Sequence, residues 1–334
     1  MNYKKFFILT KTPLRVSFFG GGTDLPKFYN EAYGQVLSSS VDRYVYTSIK
    51  SHDDLFTEDY RLNYSITEHV NGNFKNIKNN LIRKCLEYLK IRENMHITIS
   101  TDIPSMSGLG SSSSIIVGLL KALHVYKNKK INPKELAEMA CKIEINMLKN
   151  PIGKQDQYAA VFGGFKSYKF LKKNKVIVEK LKTNVAKKIF RNSMFIWVGN
   201  FKESKKILNE QNKEIFKKLK YYKELLNLVT FSKTLINNKK FNLKKFGKML
   251  DKNWSLKKRL SKNISNLKID QLYKKCLENG AIGGKILGAG SGGFLLILFP
   301  ENKKEKLKKI LKSQKIYYFS ESNKGVEVIY KNFY

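Results

Sequence analysis

Apolar and polar positions along this 334-residue chain follow two periods, so strands and helices are both predicted. Residues 36–49 and 95–100 carry β-branched and aromatic side chains in partial alternation and read as strands, as does Val16-Ser17-Phe18-Phe19. Residues 77–89 have helical spacing. Asn132-Pro133-Lys134-Glu135 combines a cap residue, a proline at the first helical position and a glutamate three residues after the cap, which starts a helix running through 139–148. A strand at 194–198 opens a second stretch, followed by a lysine-rich helical region from about 203 to 278. Strands at 285–287, 294–299 and 326–330 and a helix over 301–313 complete the pattern. There is no internal repeat and no long linker. The fold class expected is α+β, with two units, 1–190 and 191–334, packed side by side.

Composition narrows this picture. Hydrophobic residues make up 42% of the chain and aromatics 12%, enough for real cores and too much for a disordered polycation. The net charge of +37 raises a nucleic-acid-binding protein as the rival reading, because a clustered basic face is the footprint of phosphate-backbone binding. The positive charge, however, is written as 57 lysines and only 7 arginines, whereas base and phosphate recognition favours the bidentate fork of arginine. A solvated lysine surface is the simpler account, and no specific nucleic-acid partner is expected. Cys85, Cys141 and Cys276 form no C-x-x-C, so neither a disulfide framework nor a thiolate zinc site is indicated. His52, His69, His96 and His124 form no H-x-x-x-H. The apolar run at 6–9 is shorter than a secretory signal core, and no run reaches the ~18 residues of a membrane helix. The reading is a cytoplasmic protein without a membrane partner.

Three glycine-rich stretches carry chemistry. Residues 104–114, Pro-Ser-Met-Ser-Gly-Leu-Gly-Ser-Ser-Ser-Ser, follow a strand and open an apolar helix. Glycines let the backbone approach an anion closely, and the first free N–H groups of a helix point at it. The serines add hydroxyls for a metal ion or for phosphate oxygens. It is not a Walker A loop, and the chain has no H-R-D or D-F-G. Gly288-Ala289-Gly290-Ser291-Gly292-Gly293 contains G-x-G-x-x-G, yet 294–299 reads as a buried strand where a dinucleotide site needs a helix. Gly20-Gly21-Gly22-Thr23-Asp24 follows a strand-like segment near the start.

Together, these stretches resemble the three motifs of the GHMP kinases. A fourth piece, Glu144 with 153–160 (Gly-Lys-Gln-Asp-Gln-Tyr-Ala-Ala), is similar to the family's segment carrying a magnesium-ligating glutamate and a catalytic aspartate. The resemblance implies a two-domain fold, with an N-terminal unit like ribosomal protein S5 domain 2 and a ferredoxin-like C-terminal unit. It implies that Gly108, Leu109, Gly110, Ser111, Ser112 and Ser113 bind ATP, that Ser112 and Glu144 hold Mg2+, and that Asp156 faces the acceptor hydroxyl with Arg15 as its cation. Gly22, Thr23, Asp24, Gly288, Ala289, Gly290 and Ser291 fall where the family binds substrate. Phosphoryl transfer asks for positioning and charge neutralisation, which a metal, a helix N-terminus and one placed carboxylate supply.

The first motif lacks the Gly-Glu-His of the galactokinase and mevalonate kinase pattern. Residues 15–26, Arg-Val-Ser-Phe-Phe-Gly-Gly-Gly-Thr-Asp-Leu-Pro, resemble instead the branch that phosphorylates D-glycero-D-manno-heptose 7-phosphate at its anomeric hydroxyl. Another sugar 1-kinase, such as one acting on fucose, is the near alternative. A phosphorylated substrate calls for a second anion site, for which Lys27, Arg43 and Lys154 lie near the motifs.

Overall fold

The structure, a computed structural model, describes residues 5–199 and 204–334. The larger of its two sheets contains β1 (Phe6–Phe19), β2 (Gly34–Ser51), β3 (Tyr60–Asn63), β4 (Thr67–Val70), β5 (Met95–Thr101), β6 (Phe165–Phe170) and β7 (Val176–Lys180). The smaller contains β8 (Ser193–Trp197), β9 (Gly283–Ile286), β10 (Phe294–Leu298) and β11 (Lys315–Tyr317), all antiparallel, in the order β11-β8-β10-β9. One more strand, β12 (Glu327–Phe333), returns from the end of the chain to pair with β1.

The long strand β2 organises the larger sheet. Its 18 residues pair with β1 along most of their length, with β6 through Gly34 to Ser39 and with β5 through Val45 to Ser51. The register between β1 and β2 shifts between Pro13 and Leu14, a local irregularity of the kind that redirects neighbouring side chains. Before the shift, Thr10 lies against Gly118 of the helix Ser111–Tyr126. After it, the Arg15 N–H leaves for the Leu109 carbonyl at 2.9 Å.

The sheet is covered on both faces. On one, the helices Asn80–Leu89, Ser111–Tyr126, Pro133–Cys141 and Gln155–Phe162 close a core around Ile8, Val36, Ile49 and Tyr158. On the other, Leu14, Val16, Phe18, Leu37 and Val41 merge with Leu250, Trp254, Phe294 and Ile297 of the second unit in one continuous core. All five residues of β10 are buried, which is why its sequence Phe-Leu-Leu-Ile-Leu shows no alternation. The sheets change between the helix Thr183–Arg191 and β8, near residue 190. The end of the expected 191–334 unit nevertheless belongs to the first sheet, with Phe333 opposite Phe6 and Tyr330 opposite Leu9.

Local departures have physical causes. Asn132 caps its helix as the sequence predicts, accepting from the Glu135 N–H at 2.9 Å, but the α-helix ends at Cys141 and continues as a π-turn, Lys142–Met147. The lysine-rich region is four helices, Ser204–Glu214, Leu219–Asn237, Leu243–Lys258 and Leu267–Glu278; position 203 lies outside the described residues. The helix expected over 301–313 is a 3-10 turn, Glu301–Lys303, followed by Lys304–Ile310. The three cysteines are buried and free, and among the described residues no helix is long and apolar enough to cross a membrane.

Candidate active site

The helix Ser111–Tyr126 begins at Gly110, which has no side chain to cap it, so its first N–H groups stay available to an anion. Gly108 and Gly110 hold left-handed φ values of +82° and +78°, conformations that cost other residues strain. A side chain at Gly108 would also meet Leu287 O at 2.6 Å, because the 288–293 loop packs backbone to backbone against this one. Phe294 N donates to Ser107 O across the same contact. The two glycine-rich loops, distant in sequence, therefore form one wall.

Behind the loop lies Glu144, 1% exposed, carried by the π-turn. Ser112 Oγ and Ser113 Oγ donate to its two carboxylate oxygens at 2.6 and 2.7 Å, and Gln157 Nε2 donates at 2.6 Å. Burial pushes the Glu144 carboxyl up, with the three donors pulling the other way and Asp156 adding to the rise. A buried carboxylate held by neutral donors alone, with a serine hydroxyl beside it at the cavity surface, is a hard-oxygen pair of the sort that Mg2+ takes together with phosphate and water. The residues fit the ion that the sequence resemblance implies.

Asp156 stands in the first turn of the helix Gln155–Phe162. Arg15 grips it bidentately, Nε to Oδ1 at 2.7 Å and Nη2 to Oδ2 at 2.6 Å, while Arg15 Nη1 donates to Gly108 O at 2.5 Å. One guanidinium thus ties the aspartate to the phosphate loop, and the planar fork fixes the carboxylate's orientation. Asp24 lies beyond. Its carboxylate accepts from Gly22 N at 2.9 Å and from Gln155 N at 3.2 Å, and burial, followed by the charge of Asp156, pushes its carboxyl up.

Two cavities meet at this pair. One is walled by Gly108, Gly110, residues 111–113, Glu144, Gly288, Ala289, Gly290 and Gly292, the other by Ser17, Gly22, Asp24, Gln211, Lys257 and Lys285. Arg15 and Asp156 line both, as do Gly288 and Ala289. In the second cavity, Ser17 Oγ, Gln155 Oε1 and Gln211 Nε2 are buried with no partner among the described residues, leaving donors and acceptors open for a hydroxyl-rich ligand.

Four expected site residues are placed differently: Gly290, expected at the acceptor, lines only the phosphate-loop cavity, and three more turn away from both. The Thr23 side chain is fully buried and closes its own loop, with Oγ1 donating to the Gly20 and Gln35 carbonyls and accepting from Gln35 N. Leu109 points into the core shared by the two units. Ser291 lines neither cavity; its N–H donates to Ile264 O at 2.7 Å. Of the cations expected to form a second anion site, Lys27 is exposed, Arg43 lies over the Phe319 ring, and Lys154 donates to Asn174 Oδ1, so none reaches the second cavity. The cations found there are Lys257 and Lys285. Sequence reasoning passed over them because nothing local distinguishes two lysines among 57.

Comparisons with known proteins agree with this fold. Residues 80–164 match the N-terminal domain of the GHMP kinases and residues 234–316 their C-terminal domain. The D-glycero-alpha-D-manno-heptose 7-phosphate kinase of Campylobacter jejuni is 32% identical over 96% of this chain and 98% of its own length. A mevalonate kinase of Methanocaldococcus jannaschii is 29% identical over 94% of this chain and 98% of its own. In fold, the chain resembles the crystal structure of a D-glycero-D-manno-heptose 1-phosphate kinase from Bacteriodes thetaiotaomicron, with a TM-score of 0.78 at 22% identity, covering 97% of this chain and 99% of that one. Both halves of the molecule and the full-length relative lead to one conclusion: the chain belongs to the GHMP kinase family, and it is a phosphotransferase with an alcohol group as acceptor.

Proposed function

We propose that this protein transfers the γ-phosphoryl group of ATP to the anomeric hydroxyl of D-glycero-D-manno-heptose 7-phosphate, releasing ADP and a heptose 1,7-bisphosphate. The product would supply nucleotide-activated heptose for surface polysaccharide, capsule or lipopolysaccharide, and the reaction belongs in the cytoplasm. The observation that carries this reading is the Arg15–Asp156 pair on the wall shared by two cavities, one fronted by a helix N-terminus and the other by Asp24 and open polar groups. The full-length similarity to a heptose 7-phosphate kinase supports the choice of sugar.

In this reading, the N–H groups at 111–113 and the backbone of Gly108 and Gly110 receive the nucleotide's phosphates. Ser112 and Glu144 would hold Mg2+, which when bound neutralises charge on the phosphates. Asp156, its orientation set by Arg15, accepts the hydroxyl proton as the acceptor oxygen bonds to phosphorus and the bond to the ADP oxygen breaks. Asp24 and Gln155 receive sugar hydroxyls, and the walls that the two cavities share keep donor and acceptor in line.

An ATP-coupled assay across acceptors tests this. Heptose 7-phosphate should be turned over with a kcat/KM well above that of fucose, galactose or mevalonate. Turnover of fucose or galactose with none of heptose 7-phosphate would overturn the assignment.

A further inference from the structure

The second cavity contains an imbalance that the reaction as described leaves unused. Lys257, at the end of the helix Leu243–Lys258, is 6% exposed, and Lys285, on β9, is 1% exposed. Each ammonium touches backbone oxygen only: Lys257 Nζ donates to Gly288 O at 2.6 Å and Lys285 Nζ to Ser17 O at 2.9 Å. Neither is paired with a carboxylate among the described residues, although a buried ammonium without a counter-charge is costly. Both line the acceptor-side cavity, and neither lines the cavity of the phosphate loop. The charged groups facing them are Arg15 on β1, Asp24 on the loop after it, and Asp156 on the helix Gln155–Phe162. Arg15 and Asp156 neutralise one another, which leaves two lysine amines, each able to carry a positive charge, against the single carboxylate of Asp24. The cavity can therefore take up more positive charge than its one carboxylate offsets, beside an unpartnered Gln211 amide donor and the Ser17 hydroxyl.

We infer that Lys257 and Lys285 bind the phosphate group that the acceptor sugar already carries, and so select a phosphorylated sugar over a neutral one. The inference rests on the proposed reading of this cavity as the acceptor site. A dianion placed between the two amines favours their charged form and supplies its counter-charge, and each protonated lysine keeps protons free after its backbone bond. The electrostatics of the cavity agree. Burial, with Arg15 adding to it, holds Lys257 down to about 8 against the opposing pull of Asp24 and Asp156, and burial with Lys257 and Arg15 lowers Lys285 well below its ordinary range. Arrival of the phosphate should restore protons to these lysines. Sugar-phosphate binding then takes up protons near pH 8, and the KM for that acceptor climbs as the pH rises past about 8, where free Lys257 loses its charge.

The test compares the wild type with Lys257→Met and Lys285→Met, using heptose 7-phosphate and the same heptose without its phosphate. Methionine replaces a buried charge by similar volume, and thermal melts verify that the variants fold. The expected result is a fall of about ten- to a hundredfold in the ratio of the two kcat/KM values, carried by the KM of the phosphorylated sugar, with partial recovery in Lys257→Arg. An unchanged ratio would overturn the inference, including the case in which both substrates lose kcat together, as they would if the lysines served the transferring phosphoryl group. A second arm does not depend on the sugar. With the nucleotide loop filled by a non-hydrolysable ATP analogue, inorganic phosphate should bind the wild type with proton uptake and fail to bind the double methionine variant. Should the wild type bind phosphate in this way yet ignore heptose 7-phosphate, the proposed substrate falls and the anion site stands. Equal phosphate binding by both proteins would remove the site.

Discussion

Asp156 has both oxygens engaged by one guanidinium, at 2.7 and 2.6 Å, so its remaining lone pairs face the cavities in a fixed direction. That geometry predicts what Asp156→Asn does. The amide keeps the volume, but its NH2 opposes one of the two Arg15 donors and it cannot take a proton, so kcat is expected to fall by about 10²–10⁴ in a variant that still folds, with a lowered melting temperature because buried Arg15 loses its counter-charge. Steady-state kinetics with both substrates and a thermal melt decide it; a folded variant with undiminished kcat would remove Asp156 from the chemistry. At this scale the sequence was legible where a residue type was rare or sat inside a spaced motif. Arg15 stood out as one of seven arginines, and Glu144, Ser112 and Asp156 by their order along the chain. The structure brings all four to adjoining walls. Thr23, Leu109 and Ser291 share those motifs but turn their side chains elsewhere, because a motif fixes a backbone path and leaves every second or third side chain facing away from the cavity.

Elements place these side chains through close backbone contact. The loop before the helix Gln155–Phe162 passes so near Asp24 that a methyl group on Gly153 would stand 1.9 Å from its Oδ2 and 2.8 Å from its backbone carbon. Gly153→Ala must therefore push the Asp24 loop aside, while the phosphate-loop cavity, which Gly153 does not line, keeps its place. The expected outcome is a rise in the acceptor's KM approaching a hundredfold, with the KM for ATP within about threefold of the wild type, read from initial rates with each substrate varied in turn. Equal loss for both substrates would mean that the two cavities are not separable in this way. Long, strongly patterned elements were legible. β2, β5 and β10 lie within a few residues of their predicted bounds, and the helix capped by Asn132 starts where predicted although its α-helical part stops at Cys141. The four-residue strands β3 and β4 were not, since so short a run has no periodicity to detect. Nor was the π-turn at Lys142–Met147, because one wider turn leaves the apolar spacing of a helix almost unchanged while displacing Glu144 along its axis.

Across the whole molecule, the division into two units is one of sequence more than of packing. Leu14, Val16 and Phe18 share a core with Trp254 and Phe294, and β12 joins the last residues of the chain to β1. A separate first unit would expose that apolar face of β1 and β2 and lose the strand at its edge; a separate second unit would expose Trp254 and the inner face of β10. Neither loss is affordable against a net stability of about 5–15 kcal/mol, so the two should unfold together. Calorimetry is expected to show a single transition with calorimetric and van't Hoff enthalpies in agreement. ATP at a hundred times its Kd, bound only by the native state, would add about 2.7 kcal/mol and move that entire transition upward, although the phosphate loop belongs to the first unit. Two resolved transitions, with the nucleotide shifting just one, would show that the shared core does not couple the units. Such coupling suits the chemistry, because Lys257, Lys285 and Gly288 come from the second unit and Arg15, Asp24 and Asp156 from the first. The acceptor cavity exists only while both are folded against each other.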